Sequence, residues 1–239
     1  MIFGAILAGG TGTRLNISDM PKQFLPLGDK PIIIHTLARF MECKRIDAIF
    51  VGTHCDWVDY MEALIAQFMP EEASRVHVVK GGADRTETVL KLLNAIEDKY
   101  GMSDEHIVLT HDGVRPFVTM RMIEENIDAA KVYGAVNTVS PAIDTIVVSN
   151  DGKSIADVPE RSKMFLGQSP QSFRLSQLKE LYASLTEEEK KILTDASKIY
   201  IMRGLPVHLV KGEVSNIKIT TPADYKIAQA IAADLFAME

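Results

Sequence analysis

Apolar residues in this chain form short uninterrupted runs that alternate with longer segments in which they recur every three or four positions. The runs with the length and composition of strands cover residues 2–7, 48–53, 76–80, 107–110, 135–139 and 207–210. Runs that are apolar throughout are typical of parallel strands covered on both faces. The pattern therefore predicts a sheet buried between layers of helices.

The intervening segments carry recognisable helix starts, in which a proline or a short polar side chain precedes the first turn. They are Pro31 before residues 32–41, a D-x-x-E pattern at Asp84 and Glu87, Thr119 before residues 121–133, a T-x-x-E pattern at Thr186 and Glu189, and Thr221-Pro222 before the last helix. Strand and helix in alternation predict a Rossmann-like, doubly wound α/β fold with a mostly parallel sheet.

Residues 143–158 break this alternation. Two short β-prone runs flank the turn signal Asn150-Asp151-Gly152, which predicts a β-hairpin inserted at about residues 141–160. A hairpin inserted in a parallel fold projects from the body, so we interpret it as a dimerisation arm on a single domain spanning residues 1–239. A solvated flap without a partner is the alternative.

Composition and charge narrow the function classes. The 239 residues include 26 basic and 32 acidic side chains, a net charge of −6, and no basic block, which excludes a generic nucleic-acid surface. Cys43 and Cys55 are too few for a disulfide framework and lack zinc-site spacing, which favours a reducing compartment. The N-terminus has no basic leader, and no apolar run approaches the ~18 residues of a membrane span. We expect a cytoplasmic protein with no membrane partner.

The first predicted strand ends in a glycine cluster, LAGGTGTR at residues 7–14. Glycines let the backbone approach a ligand and point its N–H groups at an anion. The cluster is not a Walker motif, and it lacks the third glycine and the immediate helix of a dinucleotide fingerprint. The spacing therefore favours a phosphate-binding loop and disfavours a dehydrogenase.

Three cations are candidates for holding a polyphosphate. Arg14 and Lys22 belong to the glycine loop, and Lys218 lies in NIKIT at residues 216–220, which we interpret as a short strand before the last helix. A triphosphate carries about four negative charges, so several cations and Mg²⁺ would complement it. A lone lysine or arginine is more often a solvated charge, and Lys218 could instead protect a sheet edge.

A second glycine turn, GGADR at residues 81–85, follows the third predicted strand. Ligands collect at the carboxyl ends of strands in α/β sheets, so this turn should lie beside the first. Close approach of Gly81 and Gly82 to a base or ribose, with Thr88 one turn further, is one interpretation. A tight strand-to-helix turn without a ligand is the other.

The segment HDGVRPF, residues 111–117, ends the fourth predicted strand. The carboxylate of Asp112 is a hard oxygen ligand suited to Mg²⁺ that bridges phosphate oxygens. His111 is more typical of a packed, hydrogen-bonded histidine than of a catalytic one, because no serine or cysteine nucleophile accompanies it. Arg115 could serve either a phosphate or a structural ion pair.

These motifs, with MPKQFLPL at 20–27, GQSPQSF at 167–173 and TDAS at 194–197, span nearly the whole chain. Together they resemble the sugar-nucleotide cytidylyltransferases related to 2-C-methyl-D-erythritol 4-phosphate cytidylyltransferase. HDGVRPF and GQSPQSF favour the branch that acts on ribitol 5-phosphate in teichoic acid synthesis. Gly113 departs from the serine or alanine expected there.

The resemblance implies the reaction of CTP with D-ribitol 5-phosphate to CDP-ribitol and pyrophosphate, with Mg²⁺ and a homodimer. The implied catalytic cations are Arg14, Lys22 and Lys218. The implied nucleotide-binding residues are Leu7, Ala8, Gly9, Gly10, Gly81, Gly82, Arg85, Thr88 and Asp112, of which Asp112 also holds the metal. The implied polyol-phosphate contacts are Arg115, Thr145 and Arg161, the last two reaching from the arm into the other subunit.

Two other functions compete with this one. The first is the 2-C-methyl-D-erythritol 4-phosphate enzyme of isoprenoid synthesis, which would use the same nucleotide site. The second is a regulatory module that binds a nucleotide without turnover. The combination of Arg14, Lys22, Asp112 and Lys218 argues against the second, since simple binding needs no cations for a transition state.

Overall fold

The computed structural model of the protein describes residues 1–10, 20–193 and 195–236. Its strands are β1 Ile2–Ala8, β2 Pro26–Leu27, β3 Lys30–Pro31, β4 Ala48–Thr53, β5 Val76–Lys80, β6 Ile107–Asp112, β7 Ala135–Pro141, β8 Phe165–Arg174 and β9 His208–Lys211. Its α-helices are α1 Ile32–Glu42, α2 Val58–Phe68, α3 Arg85–Tyr100, α4 Met120–Tyr133, α5 Leu175–Ala183, α6 Glu187–Lys191, α7 Ala196–Met202 and α8 Pro222–Phe236. Within these residues, no helix combines the length and apolarity needed to cross a membrane.

Seven strands form one sheet in the order β5-β4-β1-β6-β8-β7-β9, and β2 pairs with β3 in a small separate sheet. All neighbouring pairs of the large sheet are parallel except those of β8, which runs antiparallel to β6 and β7. The mostly parallel α/β fold is confirmed, and each of the six apolar runs predicted as strands has a counterpart. The predicted caps at Asp84, Thr119 and Thr186 each accept a backbone N–H, and Thr186 completes its capping box with Glu189.

The central strand β8 was not predicted, because its sequence contains glycine and proline, which are depleted in strands. Pro170 has no backbone N–H to donate, and the register against β7 shifts between Asn137 and Val139. The backbone carbonyl of Pro170 accepts a hydrogen bond from the Thr138 hydroxyl at 2.6 Å. A local irregularity therefore lets this proline sit inside the sheet.

Both faces of the sheet are covered by helices. One hydrophobic cluster joins residues such as Ile2 and Ile6 of β1 to α1, α2 and α4. A second joins Phe3 and Ala5 of the same strand to α3, α5 and α7. Apolar residues on both faces of β1 explain its uninterrupted apolar run and fix its carboxyl end, where the glycine loop begins.

Residues 142–164 connect β7 to β8 at the place of the predicted arm, about residues 141–160. The strands β7 and β8 form its base and continue in antiparallel pairing as far as Pro141 and Phe165. Beyond that base the predicted hairpin reduces to one antiparallel bridge between Val148 and Asp157. The predicted turn is present, because the Asp151 carboxylate accepts the backbone N–H groups of Lys153 and Ser154 and Gly152 adopts a φ of 70°.

The prediction of a strand at residues 216–220 is wrong. This segment has no ladder partner in the described part of the chain, and its backbone is attached through the N–H of Ile219, which donates to the Val114 carbonyl at 3.0 Å. Ile219 itself is fully buried beneath α8 with Leu25, Phe117 and Tyr225. The apolar residues that suggested a strand therefore serve a separate small core.

Candidate active site

A cavity of about 490 Å³ opens at the carboxyl ends of β1, β4, β5 and β6. It is lined by Leu7, Gly9, Gly10, Lys22, His54, Gly82, Ala83, Asp84, Arg85, Thr88, Asp112, Val114 and Lys218. Parallel strands place their carboxyl ends at one edge of the sheet, which brings both glycine turns together as predicted. Ala8 and Gly81 lie at the ends of their strands beside this lining.

The second glycine turn is held by short hydrogen bonds. The Gly81 N–H donates to the Thr53 carbonyl at 2.7 Å, and a Cβ at Gly81 would lie 2.9 Å from that oxygen. The Thr88 hydroxyl accepts the Gly82 N–H at 3.0 Å and donates to the Asp84 carbonyl at 2.7 Å. The two interpretations of this turn are thus compatible, because it is tight and it also forms a wall of the cavity.

Gln23 connects the turn that begins at Lys22 to the end of β1, because its side-chain amide donates to the Ala8 carbonyl at 2.7 Å. Gln23 and Phe24 are both buried, which fixes the short helical turn that begins at Lys22. Lys22 lines the cavity, as predicted. Arg14, the other cation assigned to this loop, lies outside the described residues.

Asp112 is the centre of the charge distribution in the cavity. Its Oδ1 accepts from Arg85 at 2.8 Å, and its Oδ2 accepts from Lys218 at 3.0 Å and from Arg115 at 3.2 Å. Burial raises the pKa of Asp112, but the charges of Arg85, Lys218 and Arg115 outweigh it and hold that pKa well below its usual range. Three cations around one carboxylate leave an excess of about two positive charges, which suits a polyanion.

Arg115 does not line this cavity. Its Nε contacts Asp112, and its terminal nitrogen donates to the Asn216 carbonyl at 2.7 Å. The side chain is only 11% exposed. Of the two interpretations offered by the sequence, this geometry favours the structural ion pair, and a contact with substrate stays a prediction.

Gly113 occupies a position with little room for a side chain. A Cβ there would lie 2.8 Å from the Ile33 Cδ1 atom and 3.1 Å from the Leu7 carbonyl. The Gly113 N–H also donates to that carbonyl at 2.9 Å. Close contact with β1 and α1 therefore explains a glycine where the resemblance leads one to expect serine or alanine.

His111 is a packed histidine, as predicted. It is fully buried, its Nε2–H donates to the Arg115 carbonyl at 3.1 Å, and its ring lies 5.0 Å from that of Phe40. Burial lowers the pKa of His111 to about 4. The imidazole is thus neutral at physiological pH and supports the Asp112–Arg115 turn.

We expect His111 to make the protein less stable as the pH falls below about 6.5. The unfolded imidazole binds a proton near pH 6.5 and the folded one only near pH 4, so the unfolded chain binds more protons in this window. The full effect is a loss of about 3 kcal/mol in the free energy of unfolding, reached below pH 4. Urea unfolding at several pH values measures it, with NMR titration of the imidazole as a direct check.

The control for this measurement is His111→Gln, which should show a smaller loss of stability between pH 6.5 and 4. An imidazole that titrates above pH 6 in the folded wild-type protein would contradict the burial argument.

Several cavity residues were not identified from the sequence as ligand contacts. His54 follows β4 directly, and its position at the carboxyl end of a strand was the only available signal. Asp84 was recognised only as a helix cap, although it also lines the cavity beside Ala83.

The structure does not place Thr145 or Arg161 at this cavity. Both are exposed on the arm, where the Arg161 guanidinium donates to the Ile143 carbonyl at 3.3 Å. Their assignment to the other subunit's site stays a prediction.

Two carboxylates of the cavity could contribute to a metal site, Asp112 and Asp84. Mg²⁺ is usually held by one or two carboxylates together with substrate phosphates rather than by an all-protein cage. Asp112 fits this use because its carboxylate is ionised. It also lies among cations that would bring the phosphate groups of a nucleotide close to it. Beginning at His54 of the cavity lining, His54, Cys55 and Asp56 bring three potential ligand atoms together, a donor set unlike that preferred by Mg²⁺.

Comparison with known proteins shows which sequences this chain resembles. The family model of 2-C-methyl-D-erythritol 4-phosphate cytidylyltransferases matches residues 2–234. The ribitol-5-phosphate cytidylyltransferase of Streptococcus pneumoniae serotype 19F (strain G54) is 50% identical over 231 residues, 97% of this chain and 98% of that protein.

Solved structures give the same result. The 4-diphosphocytidyl-2C-methyl-D-erythritol synthase of Anaerococcus prevotii superposes with a TM-score of 0.80 at 27% identity, covering 98% of this chain and 96% of its own. The 2-C-methyl-D-erythritol 4-phosphate cytidylyltransferase of Thermus thermophilus gives 0.72 at 28% identity, covering 96% and 98%. The match extends over fold and sequence, and the chain belongs to the 2-C-methyl-D-erythritol 4-phosphate cytidylyltransferase family of nucleotidyltransferases.

Proposed function

We propose that the protein transfers the cytidylyl group of CTP to D-ribitol 5-phosphate, giving CDP-ribitol and pyrophosphate. The observation that carries this proposal is the cavity lined by three cations, Lys22, Arg85 and Lys218, together with Asp112 and the turn of Gly82 and Thr88. Similarity favours ribitol over methylerythritol, at 50% identity to the ribitol enzyme and 27% and 28% to the two methylerythritol enzymes named above.

The proposed reaction needs positioning and charge stabilisation more than proton transfer. An oxygen of the ribitol phosphate forms a bond to the α-phosphorus of CTP, and the bond to the pyrophosphate leaving group breaks. The attacking phosphate is already ionised at neutral pH, so no protein base is required. Lys22 and Lys218 would stabilise the charge that develops on the phosphate oxygens.

We propose that Asp112 holds Mg²⁺ together with the phosphates of the nucleotide. When bound, the ion would supply positive charge that complements the nucleotide's phosphates. Asp112 keeps its negative charge throughout the physiological range because its pKa is held low by the cations around it. Arg85 and Lys218, which contact this carboxylate, would then exchange part of that contact for phosphate oxygens.

A pyrophosphate-release assay that offers CTP with each polyol phosphate separately tests the proposed function. We expect rapid release with D-ribitol 5-phosphate, formation of CDP-ribitol by mass spectrometry, and much slower release with 2-C-methyl-D-erythritol 4-phosphate. The opposite preference would assign the methylerythritol reaction. Binding of CTP without release in either case would favour the regulatory module.

We propose that the arm mediates a homodimer. Apolar side chains on the arm and at the adjoining start of β8 are exposed: Ile143, Val147, Ile155, Val158, Phe165 and Leu166. Contiguous exposed apolar residues mark interaction surfaces. The exposed apolar residues therefore favour a dimerisation arm over a solvated flap without a partner.

Charge placed on this surface should separate the subunits. We expect wild-type protein to have the mass of a dimer in light scattering, and Ile143→Asp with Ile155→Asp to have the mass of a monomer, because burying two charges in an apolar interface is costly. Ile201→Asp is the matched control, because Ile201 on α7 is 64% exposed, similar to 68% and 65% for the arm residues. A monomeric wild-type protein would contradict the proposal.

Arg161 should bind the polyol phosphate in the other subunit's site. Arg161→Ala is therefore expected to raise the KM for D-ribitol 5-phosphate. The KM for CTP should change little, because the removed cation contacts the polyol phosphate and not the nucleotide. Steady-state kinetics with each substrate varied in turn measures both constants. An unchanged KM for the polyol phosphate contradicts the assignment.

Mixing two variants tests which subunit Arg161 serves. A heterodimer of Arg161→Ala and Lys218→Ala subunits has one site with both changes and one site with neither, if the arm serves its partner. Random exchange then restores about a quarter of the sites. No recovery after subunit exchange would place Arg161 outside the partner's site.

We also propose a cytoplasmic location. Cys43 is a buried free thiol and Cys55 an exposed one. An exposed thiol is typical of a reducing compartment.

A further inference from the structure

The segment that carries Lys218 lies outside the sheet, yet its backbone is attached at both ends. The Gly212 N–H donates to the Val139 carbonyl at 2.7 Å, and the Ile219 N–H donates to the Val114 carbonyl at 3.0 Å. Between these two points, side chains hold the segment: Arg121 and Thr119 bond the Glu213 carboxylate, and two side-chain amides bond the backbone.

Two amides fix this segment from within. Asn216 is fully buried, and its Nδ2 donates to the Ser169 carbonyl at 2.8 Å and to Gln168 Oε1 at 3.2 Å, which uses both of its hydrogens. The Gln168 Nε2 donates to the Glu213 carbonyl at 2.8 Å, and its Oε1 accepts the Glu213 N–H at 3.3 Å. The start of β8 therefore holds the segment at two points.

The same amides are linked to Asp112 by two separate bridges. Ser169, whose carbonyl accepts from Asn216, also accepts the Asp112 backbone N–H on its hydroxyl at 3.1 Å. Arg115 contacts the Asp112 carboxylate at 3.2 Å and the Asn216 carbonyl at 2.7 Å. The two bridges set the separation of Asn216 from Asp112, and Lys218, two residues further, reaches that carboxylate at 3.0 Å.

We propose that Asn216 and Gln168 are positioning residues that place the Lys218 ammonium for the reaction. A lysine side chain is long and flexible, so a defined ammonium position requires a fixed backbone beneath it. Misplacing a reacting or stabilising group by about 1 Å costs about 10² in rate. The inference rests on the proposed function, because it assigns Lys218 to the phosphates.

A double-mutant cycle between Asn216 and Lys218 tests this role. Asn216→Ala alone is expected to lower kcat about 10²-fold through a displaced Lys218, with a smaller change in the KM for D-ribitol 5-phosphate. In a Lys218→Ala background the same change should lower kcat less than threefold, because the group that it positions is gone. Gln168→Ala, at a less buried position, should repeat the pattern with a smaller effect.

Asn126→Ala is the matched control. Asn126 is also fully buried, and its amide bonds the Met122 carbonyl, the Thr138 hydroxyl and the Ser172 hydroxyl, so its loss lowers stability without touching the Lys218 segment. We expect kcat to stay within about twofold of wild type in this variant at a temperature where it is folded.

Additive effects of Asn216→Ala and Lys218→Ala on kcat would overturn the proposal, as would an Asn216→Ala variant with wild-type kcat. If Asn216→Ala does not fold, the cycle with Gln168→Ala decides by the same criterion. A wild-type protein that forms no CDP-ribitol would instead overturn the proposed function, so the two failures are distinguishable.

Discussion

Lys218→Ala and Lys22→Ala are each expected to lower kcat by about 10²–10³, the usual cost of removing one group that stabilises transition-state charge. Both side chains line the cavity, and Lys218 is already directed at the charged cluster by its contact with Asp112. The KM for CTP should change less, because the triphosphate in the ground state keeps its remaining contacts. Steady-state release of pyrophosphate measures both constants. The resemblance predicts the same loss for Arg14→Ala.

Lys226→Ala is the control for these variants, because Lys226 is an exposed lysine on α8 that does not line the cavity. It should retain wild-type kcat. Wild-type turnover in both Lys22→Ala and Lys218→Ala would contradict a mechanism based on charge stabilisation.

Asp112→Asn is expected to destabilise the ligand-free protein by about 3 kcal/mol, because it leaves Arg85, Arg115 and Lys218 close together without a counter-charge. We take the lower end of the range for buried ion pairs because Arg85 and Lys218 are partly solvated, which screens their repulsion. Added pyrophosphate should restore more stability to this variant than to wild type, since it supplies the missing negative charge. Urea unfolding with and without pyrophosphate measures the difference.

Asp128→Asn provides the comparison, because Asp128 pairs with Arg45 on the surface. Exposed pairs of this kind contribute at most about 1 kcal/mol. This variant should therefore unfold close to wild type and show no added response to pyrophosphate. Equal destabilisation of the two variants would contradict the central role given to Asp112.

Local patterns were sufficient to predict most of the sheet and the position of the site. Uninterrupted apolar runs identify parallel strands, and the carboxyl ends of such strands share one edge. That rule alone brings Gly10, Gly82 and Asp112 to one cavity, where the structure places them. Residues that follow a buried strand directly are therefore the most predictable part of this site.

The remainder depends on contacts between distant parts of the chain. Arg115 meets Asn216 across 101 positions, and Asn216 meets Ser169 across 47, which no local pattern indicates. The segment of Lys218 has the composition of a strand, but buried contacts beneath α8 determine its path. The proline in β8 made this central strand unrecognisable from the sequence, because pairing with neighbouring strands overrides local propensity.

The central claim is that cations from separate parts of the chain converge on the polyphosphate of a nucleotide above the two glycine turns. A crystal structure of the protein with CTP and Mg²⁺ tests it most directly. We predict phosphate oxygens within about 3 Å of the ammonium groups of Lys22 and Lys218, with the cytosine against Gly82 and Thr88. A triphosphate bound elsewhere, with Lys218 still on Asp112 alone, would contradict the claim.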